Sequence, residues 1–258
     1  MGRRICEMVQ QHPGLTLSAA FAQADSPFVG KDVGEVAGFG TVGVKIAAGL
    51  EAVIEQGEVI IDFTFHKSTM EFIKVAAHYG RAMVIGTTGL SADNLETLRE
   101  SAAGHFPCVQ SPNMAVGVNV LFKLVEKTAA VLGAAYDVEI VEAHHRMKKD
   151  APSGTALRLG EMAAAGLGRT LAEVGVYERY GMIGERTDKE IGIQTVRAGD
   201  IVGEHTVYFA GAGERIEITH RAHSRDNFAR GAALAAAWIA DKPKGLYSMF
   251  DVLNLGSF

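Results

Sequence analysis

Cysteine is scarce in this chain, and so are several other features whose absence narrows what the protein does. Two cysteines, Cys6 and Cys108, among 258 residues make no disulfide framework. They fit a reducing compartment, the cytoplasm, and read as small buried hydrophobes. Positive charge is not in excess: 25 lysines and arginines face 30 aspartates and glutamates, a net charge of −5. That balance gives no electrostatic footprint for nucleic acid or for an anionic membrane surface. No apolar run is long enough to span a bilayer, and the alanine-rich stretch 231–240 is too short. Met1-Gly2-Arg3-Arg4 is not followed by an unbroken apolar segment, because Glu7, Gln10 and Gln11 interrupt it, so no secretory leader is expected. Repeats and low-complexity stretches are also missing. What remains is 48% hydrophobic and 21% charged, ordinary for a globular protein with a sizeable core.

The first part alternates helical and strand patterns. Ile5, Met8 and Val9 mark an amphipathic helix ending near His12-Pro13-Gly14, and residues 15–21 read as a short strand. Residues 59–63 and 82–85 are apolar runs of the kind found in buried parallel strands. Between them, Ser68 and Glu71 read as a capping box opening a helix to about Tyr79, and Ser91 caps a second helix. This predicts βαβ units around a parallel sheet. After Asn113 the character changes. A long helix over 116–131 precedes a strand from Tyr136, a helix from Ser153, and strand-like runs at 191–196, 204–209 and 215–220. Ala198-Gly199-Asp200 and Gly211-Ala212-Gly213 read as turns between antiparallel neighbours, giving an α+β domain with a mostly antiparallel sheet. A helix over 226–240 ends the pattern.

The densest chemistry lies in residues 142–156, Glu-Ala-His-His-Arg-Met-Lys-Lys-Asp-Ala-Pro-Ser-Gly-Thr-Ala. A strand leads into clustered cations and then into a turn that opens a helix. Ser153 stands as N-cap, and the N–H groups of Ser153, Gly154 and Thr155 would point at an anion favoured by the helix dipole. His144 and Lys148 are groups able to move protons near neutral pH. The same residues also fit a solvated strand end followed by an ordinary turn and cap. Metal binding is not expected, because adjacent histidines on a strand point to opposite faces and no Cys or third His stands at ligand spacing. His205 and His220, outside this loop, read as plain sheet positions. Arg146 and Asp150 read as local ion-pairing residues.

This string closely resembles the signature of bacterial dihydrodipicolinate reductases. Further motifs follow in that family's order: Ile61-Asp62-Phe63-Thr64, Val84-Ile85-Gly86-Thr87-Thr88-Gly89, Ser111-Pro112-Asn113-Met114 with Val116-Gly117-Val118-Asn119, and residues 197–205, Arg-Ala-Gly-Asp-Ile-Val-Gly-Glu-His. The resemblance runs from Met1 almost to the C-terminus. It implies reduction of 4-hydroxy-tetrahydrodipicolinate, a cyclic imine dicarboxylate, with NADPH or NADH, in lysine and diaminopimelate synthesis. It implies a homotetramer with a small-molecule dicarboxylate substrate, and no nucleic-acid or membrane partner. It implies His144 as general acid and Lys148 as the group that polarises and protonates. His145, Lys148, Ser153, Gly154 and Thr155 would hold the substrate.

On the cofactor side the resemblance implies Phe63, Gly86, Thr87, Thr88, Ser111, Pro112, Asn113 and Met114, with Gly2 and Arg3 at the first helix. The Gly-x-x-Gly-x-x-Gly run of a dinucleotide fold is not present; Gly2 matches its third glycine, and the first strand and the first two glycines are expected upstream of Met1. Ala22 and Gln23 stand where family members often carry an acid and an arginine, so the choice of NADH or NADPH stays open. The expected division is a Rossmann-like dinucleotide-binding domain of residues 1–114 and 225–258, and a substrate-binding and oligomerisation domain of residues 115–224. Two other classes stay in view: a different nicotinamide oxidoreductase on the same plan, and a non-catalytic dinucleotide-binding protein.

Overall fold

A computed structural model describes residues 1–256. Along the chain run α1 (Gly2–Gln11), β1 (Ala20–Ala22), α2 (Val33–Ala37), β2 (Ile46–Ala48), β3 (Val59–Asp62), α3 (His66–Tyr79), β4 (Ala82–Ile85), α4 (Ala92–His105), β5 (Pro107–Gln110) and α5 (Val116–Leu132). They continue with β6 (Asp137–His144), α6 (Gly154–Gly166), α7 (Leu171–Val174), β7 (Gly175–Val176), β8 (Ile191–Arg197), β9 (Gly203–Gly211), β10 (Glu214–Ala222), α8 (Asp226–Ile239), β11 (Gly245–Tyr247) and α9 (Met249–Val252). The described residues form two compact units, one of Met1–Val116 with residues 226–256, the other Gly117–Arg225.

In the first unit β11, β5, β4 and β3 form a parallel sheet in that order. Alternate strand residues are apolar on both faces, as a sheet covered on both sides requires. Ile60, Met83, Ile85 and Cys108 pack with Leu98, Ala102 and Phe106 of the α3–α4 side. Val84 and Val109 pack with Ala232, Ala235, Ala236 and Ile239 of α8. The small alanine face of α8 is what lets it lie close to the strands.

The strand expected over 15–21 is shorter and later: only Ala20–Ala22 are strand, paired in parallel with β2 in a separate two-stranded sheet. Between that pair and β3 lies a mainly apolar cavity of about 210 Å³, walled by Ile5, Val9, Leu17, Phe21, Ile54 and Ile61 among others. β3 and β1 thus each keep one edge without a strand partner among the described residues. The Ser68–Glu71 capping box also does not form. α3 starts earlier, at His66, with Phe65 as a cap that makes no side-chain bond. Ser91 does cap α4, in a reciprocal box with Asn94.

The second unit's sheet runs β10-β9-β6-β8-β7. It is mixed, where a mostly antiparallel sheet was expected. β9 pairs antiparallel with β10 and β6, but β8 is parallel to both β6 and β7. Gly211-Ala212-Gly213 does turn β9 into its neighbour β10. Residues 198–200, in contrast, leave β8 for a strand that is not beside it, because β6 takes the place between β8 and β9. Val138, Ile140, Ile191, Ile193, Val207 and Phe209 are buried, as are Leu159 and Ala163 of α6, which packs on β6 and β8.

Candidate active site

The buried face of β6 reads Val138, Ile140, Glu142, His144. The two-residue period of a strand carries this apolar row straight into an acid and a histidine. Glu142 is fully buried. Its carboxylate accepts from His144 Nδ1 at 2.6 Å, the Ser153 N–H at 3.0 Å, Thr195 Oγ1 at 3.2 Å, and Arg197 Nη1 and Nη2 at 2.8 and 2.9 Å. Arg197 also donates to the carbonyls of Val196 and Asp150. Burial works against ionisation of Glu142, but the bonds from His144, Arg197 and Ser153 outweigh it and hold the carboxyl far below the usual range.

The start of α6 differs from expectation in its bonding. Ser153 is the N-cap, and its Oγ accepts from the Ala156 N–H at 3.1 Å. Its own N–H goes to Glu142, so the carboxylate at this helix start is one the chain itself supplies. Gly154 and Thr155 form the first turn beyond it, with Gly154 exposed.

His144 lies edge-on to His205, with ring centroids 5.2 Å apart and planes at 74°. Gly203 faces its Nε2 so closely that a Cβ there would sit 3.0 Å away and press on the ring. His205, expected as a plain sheet residue, belongs to this cluster: Nε2 lies 3.1 Å from Ser153 Oγ. Burial, then the neighbouring charges of His144, His220 and Lys148, push its pKa down to about 3 against an opposing pull from Glu142. Lys148 pairs with Asp150, both carboxylate oxygens at 2.9 Å. His145, on the opposite face from His144, has Nε2 3.4 Å from Arg225 Nη2. Arg146 contributes its backbone N–H to the Gly199 carbonyl.

Sequence reasoning singled out His144, His145, Lys148 and Ser153–Thr155 but gave no role to Glu142, Arg197, His205 or Arg225. For Glu142 a signal existed: it has the parity of Val138 and Ile140. Arg197, His205 and Arg225 lie 55 to 83 residues from Glu142, and although Arg197 and His205 stand at the ends of the 197–205 motif, no local pattern tied them to this carboxylate.

In the first unit, the implied cofactor residues collect at the C-terminal ends of parallel strands, where such sheets bind ligands. Ala22 ends β1 and Gln23 follows it, and both line a recess of about 440 Å³ with Phe21, Thr64, Phe65 and Glu71. Phe63 follows β3, and its ring covers Gly86, where an added Cβ would lie 2.2 Å from the ring. Thr87 is buried and takes part in a cluster on Asp62, which also accepts from Thr64 and Thr69. Thr88, Pro112 and Asn113 lie nearer the surface. Ser111 Oγ accepts from the Met249 N–H, and Met114 is core. Gly2 opens α1 and borders the cavity beside β3, while the Arg3 guanidinium lies 4.8 Å over the Phe28 ring. The recess size and the hydroxyls nearby suit the close approach of a nucleotide. Among the described residues, no three His, Cys, Asp or Glu cluster to hold a metal, and no helix is long and apolar enough to cross a membrane.

Comparison with known proteins adds independent findings. A family model described as dihydrodipicolinate reductase, N-terminus, matches residues 1–114, and one described as dihydrodipicolinate reductase, C-terminus, matches residues 117–253. A 4-hydroxy-tetrahydrodipicolinate reductase from Desulfotalea psychrophila is 65% identical over 255 residues, 99% of this chain and 94% of the relative. One from Syntrophus aciditrophicus is 54% identical over 257 residues, covering 100% of this chain and 96% of the relative. A solved dihydrodipicolinate reductase with dipicolinate bound, from Paenisporosarcina sp. TG-14, superposes with a TM-score of 0.72 at 24% identity, over 97% of this chain and 94% of that one, which speaks for the fold.

Proposed function

The chain belongs to the dihydrodipicolinate reductase family, and from that premise we propose the following reading of its chemistry. It is an oxidoreductase that reduces 4-hydroxy-tetrahydrodipicolinate to tetrahydrodipicolinate with a nicotinamide cofactor, in lysine and diaminopimelate synthesis. The observation that carries this reading to the residue level is the buried His144–Glu142–Arg197 array beside Lys148 at the start of α6.

The nicotinamide, when bound, supplies the hydride. The chain's own residues handle the dicarboxylate and the proton. Lys148, His145, Gly154 and Thr155 hold a substrate carboxylate, with Ser153 shaping the turn rather than giving its N–H away. Hydride addition builds electron density at the ring nitrogen or the adjacent carbon, and a proton donor there lowers the barrier. His144 is that donor, and Lys148 polarises the same end. Phe63, Gly86, Thr87, Thr88 and the 111–114 loop border the nicotinamide, while Ala22 and Gln23 border the adenosine. Neither of those two residues is an acid that would select a free ribose or an arginine that would select a 2′-phosphate, so both cofactors serve. The enzyme works in the cytoplasm, as a homotetramer.

The test is a coupled assay with freshly generated 4-hydroxy-tetrahydrodipicolinate. Substrate-dependent oxidation of both NADH and NADPH is expected, with kcat/KM values within about tenfold of each other, a difference of about 1.4 kcal/mol. No turnover with either cofactor overturns the reading.

A further inference from the structure

The His144 side chain has one nitrogen committed. An ionised carboxylate only accepts hydrogen bonds, and Glu142 is held ionised, so Nδ1 of His144 must carry the hydrogen across the 2.6 Å contact. Nε2 is left as the nitrogen that gains and gives a proton. Glu142 itself is fixed from two further elements: Thr195 and Arg197 on β8 and Ser153 at the head of α6. Arg197 reaches on to the Asp150 carbonyl in the turn that carries Lys148. A carboxylate with this many donors and no exposed surface has no freedom to turn away. Its cost in desolvation is offset only while Arg197 and His144 stay in place. Such an outlay, at the one strand end that carries a proton donor, is hard to account for by packing alone, since an apolar residue of similar size would continue the Val138–Ile140 row.

We propose that Glu142 is the positioning residue for His144: it fixes the Nδ1–H tautomer, orients the ring so that Nε2 faces the reacting atoms, and stabilises the imidazolium that donates. This rests on the reductase reading above. In the step itself, Nε2–H of the imidazolium passes its proton to the reduced ring of the substrate. His144 is left neutral with Nδ1–H still bonded to Glu142, and solvent returns the proton to Nε2. His205 completes the arrangement. Its burial, with the neighbouring charge of His144, keeps it neutral, so no second cation competes for Glu142.

Two measurements test this. The first uses the unaltered protein: ¹⁵N-edited NMR of the histidine rings at a pH where His144 is neutral. A protonated Nδ1 and a bare Nε2 are expected for His144, and the reverse pattern overturns the proposal. The second uses Glu142→Gln, whose amide turns an N–H donor toward Nδ1 and removes the charge, with circular dichroism to verify folding. The expected result is a fall in kcat of about 10²-fold or more with KM changed less than about threefold, together with a switch of His144 to the Nε2–H tautomer. In a His144→Ala background the same substitution should lower kcat no further. A folded Glu142→Gln variant with wild-type kcat, or with full additivity to His144→Ala, overturns the proposal. Wild-type protein without reductase turnover would instead remove the functional reading, and the ring tautomer tells the two failures apart.

Discussion

At the scale of single residues, the site joins proton donors to a buried acid that keeps them in place. His144→Ala and Lys148→Ala should each lower turnover by about 10²–10⁴-fold; circular dichroism should stay unchanged for Lys148→Ala, in a turn, while His144→Ala keeps the fold at a lower stability because Glu142 loses one of its donors. Lys148→Ala should be the worse of the two, because it loses carboxylate contact as well as polarisation. Steady-state kinetics at saturating cofactor checks both. His205 and Glu142 also make stability depend on pH. His205 has a folded pKa of about 3 against 6.5 unfolded, so between those values the unfolded chain binds more protons, and stability falls as the pH drops from 6.5 toward 3. Glu142, depressed on folding, adds a loss in the same direction as pH falls below 4.5. Urea titrations should therefore show stability declining with acid by up to about 1.4 kcal/mol per pH unit for each such group. In His205→Asn the decline between pH 6.5 and 4.5 should be flatter by that amount; an unchanged slope would mean that His205 titrates normally. Here the sequence was half legible. It displayed His144, His145 and Lys148 as an unusual cluster but gave Glu142 no role, although its parity with Val138 and Ile140 carries the buried face to the end of β6.

At the scale of elements, the open edge of β3 is the most consequential feature. β1–β2 and β11-β5-β4-β3 are separate sheets, and residues of both β1 and β3 wall the cavity between them. An apolar strand fused ahead of Gly2 through a short glycine-containing turn should enter that space, parallel to β3. With roughly 24 cal/mol per Å³ for an apolar cavity, filling the 210 Å³ space contributes at most about 5 kcal/mol. At ~2–4 °C per kcal/mol the melting temperature should rise by up to about 10–20 °C. Amide exchange at Val59–Asp62 should slow at the same time. A fused strand that changes neither quantity would show that the space does not accept one. Gly86→Ala tests packing at the next strand. The new Cβ would meet the Phe63 ring, so thermal unfolding should show a loss of about 1–3 kcal/mol. Helices were mostly legible from period and caps, as for α4 with Ser91. Ser68 and Glu71 misled because α3 begins two residues before Ser68, with Phe65 rather than a polar side chain at its cap.

At the scale of the whole molecule, the second unit's sheet has one face buried within the chain and one that is not. Val207 and Phe209 lie on the buried face, so they are not the surface that self-association covers. The opposite face carries Val141, Thr206, Tyr208 and Val196, partly or largely exposed, and it ends in β10, whose residues are mostly exposed. Arg215, Glu217 and Arg221 on that edge strand guard against unspecific pairing. Self-association of the kind proposed above would bury this face between copies. Light scattering at micromolar concentration should give about four times the 27.4 kDa chain mass, and Tyr208→Glu with Val141→Glu should reduce it. A monomer in the unaltered protein would refute the assembly.

The sequence by itself determined the order of the elements, the inward face of most of them, and the stretch that carries the chemistry. Those properties are local: period, cap and turn residues act within a few positions of one another. Only the tertiary structure decided that β6 lies between β8 and β9, because strand pairing joins segments some 50 residues apart and no side chain's spacing records its partner. That placement is what sets Arg197 and Thr195 on one side of Glu142 and His205 on the other. The carboxylate becomes the hub of the site for a physical reason: buried in apolar surroundings, it needs every one of its donors, and the mixed sheet is the arrangement that delivers them.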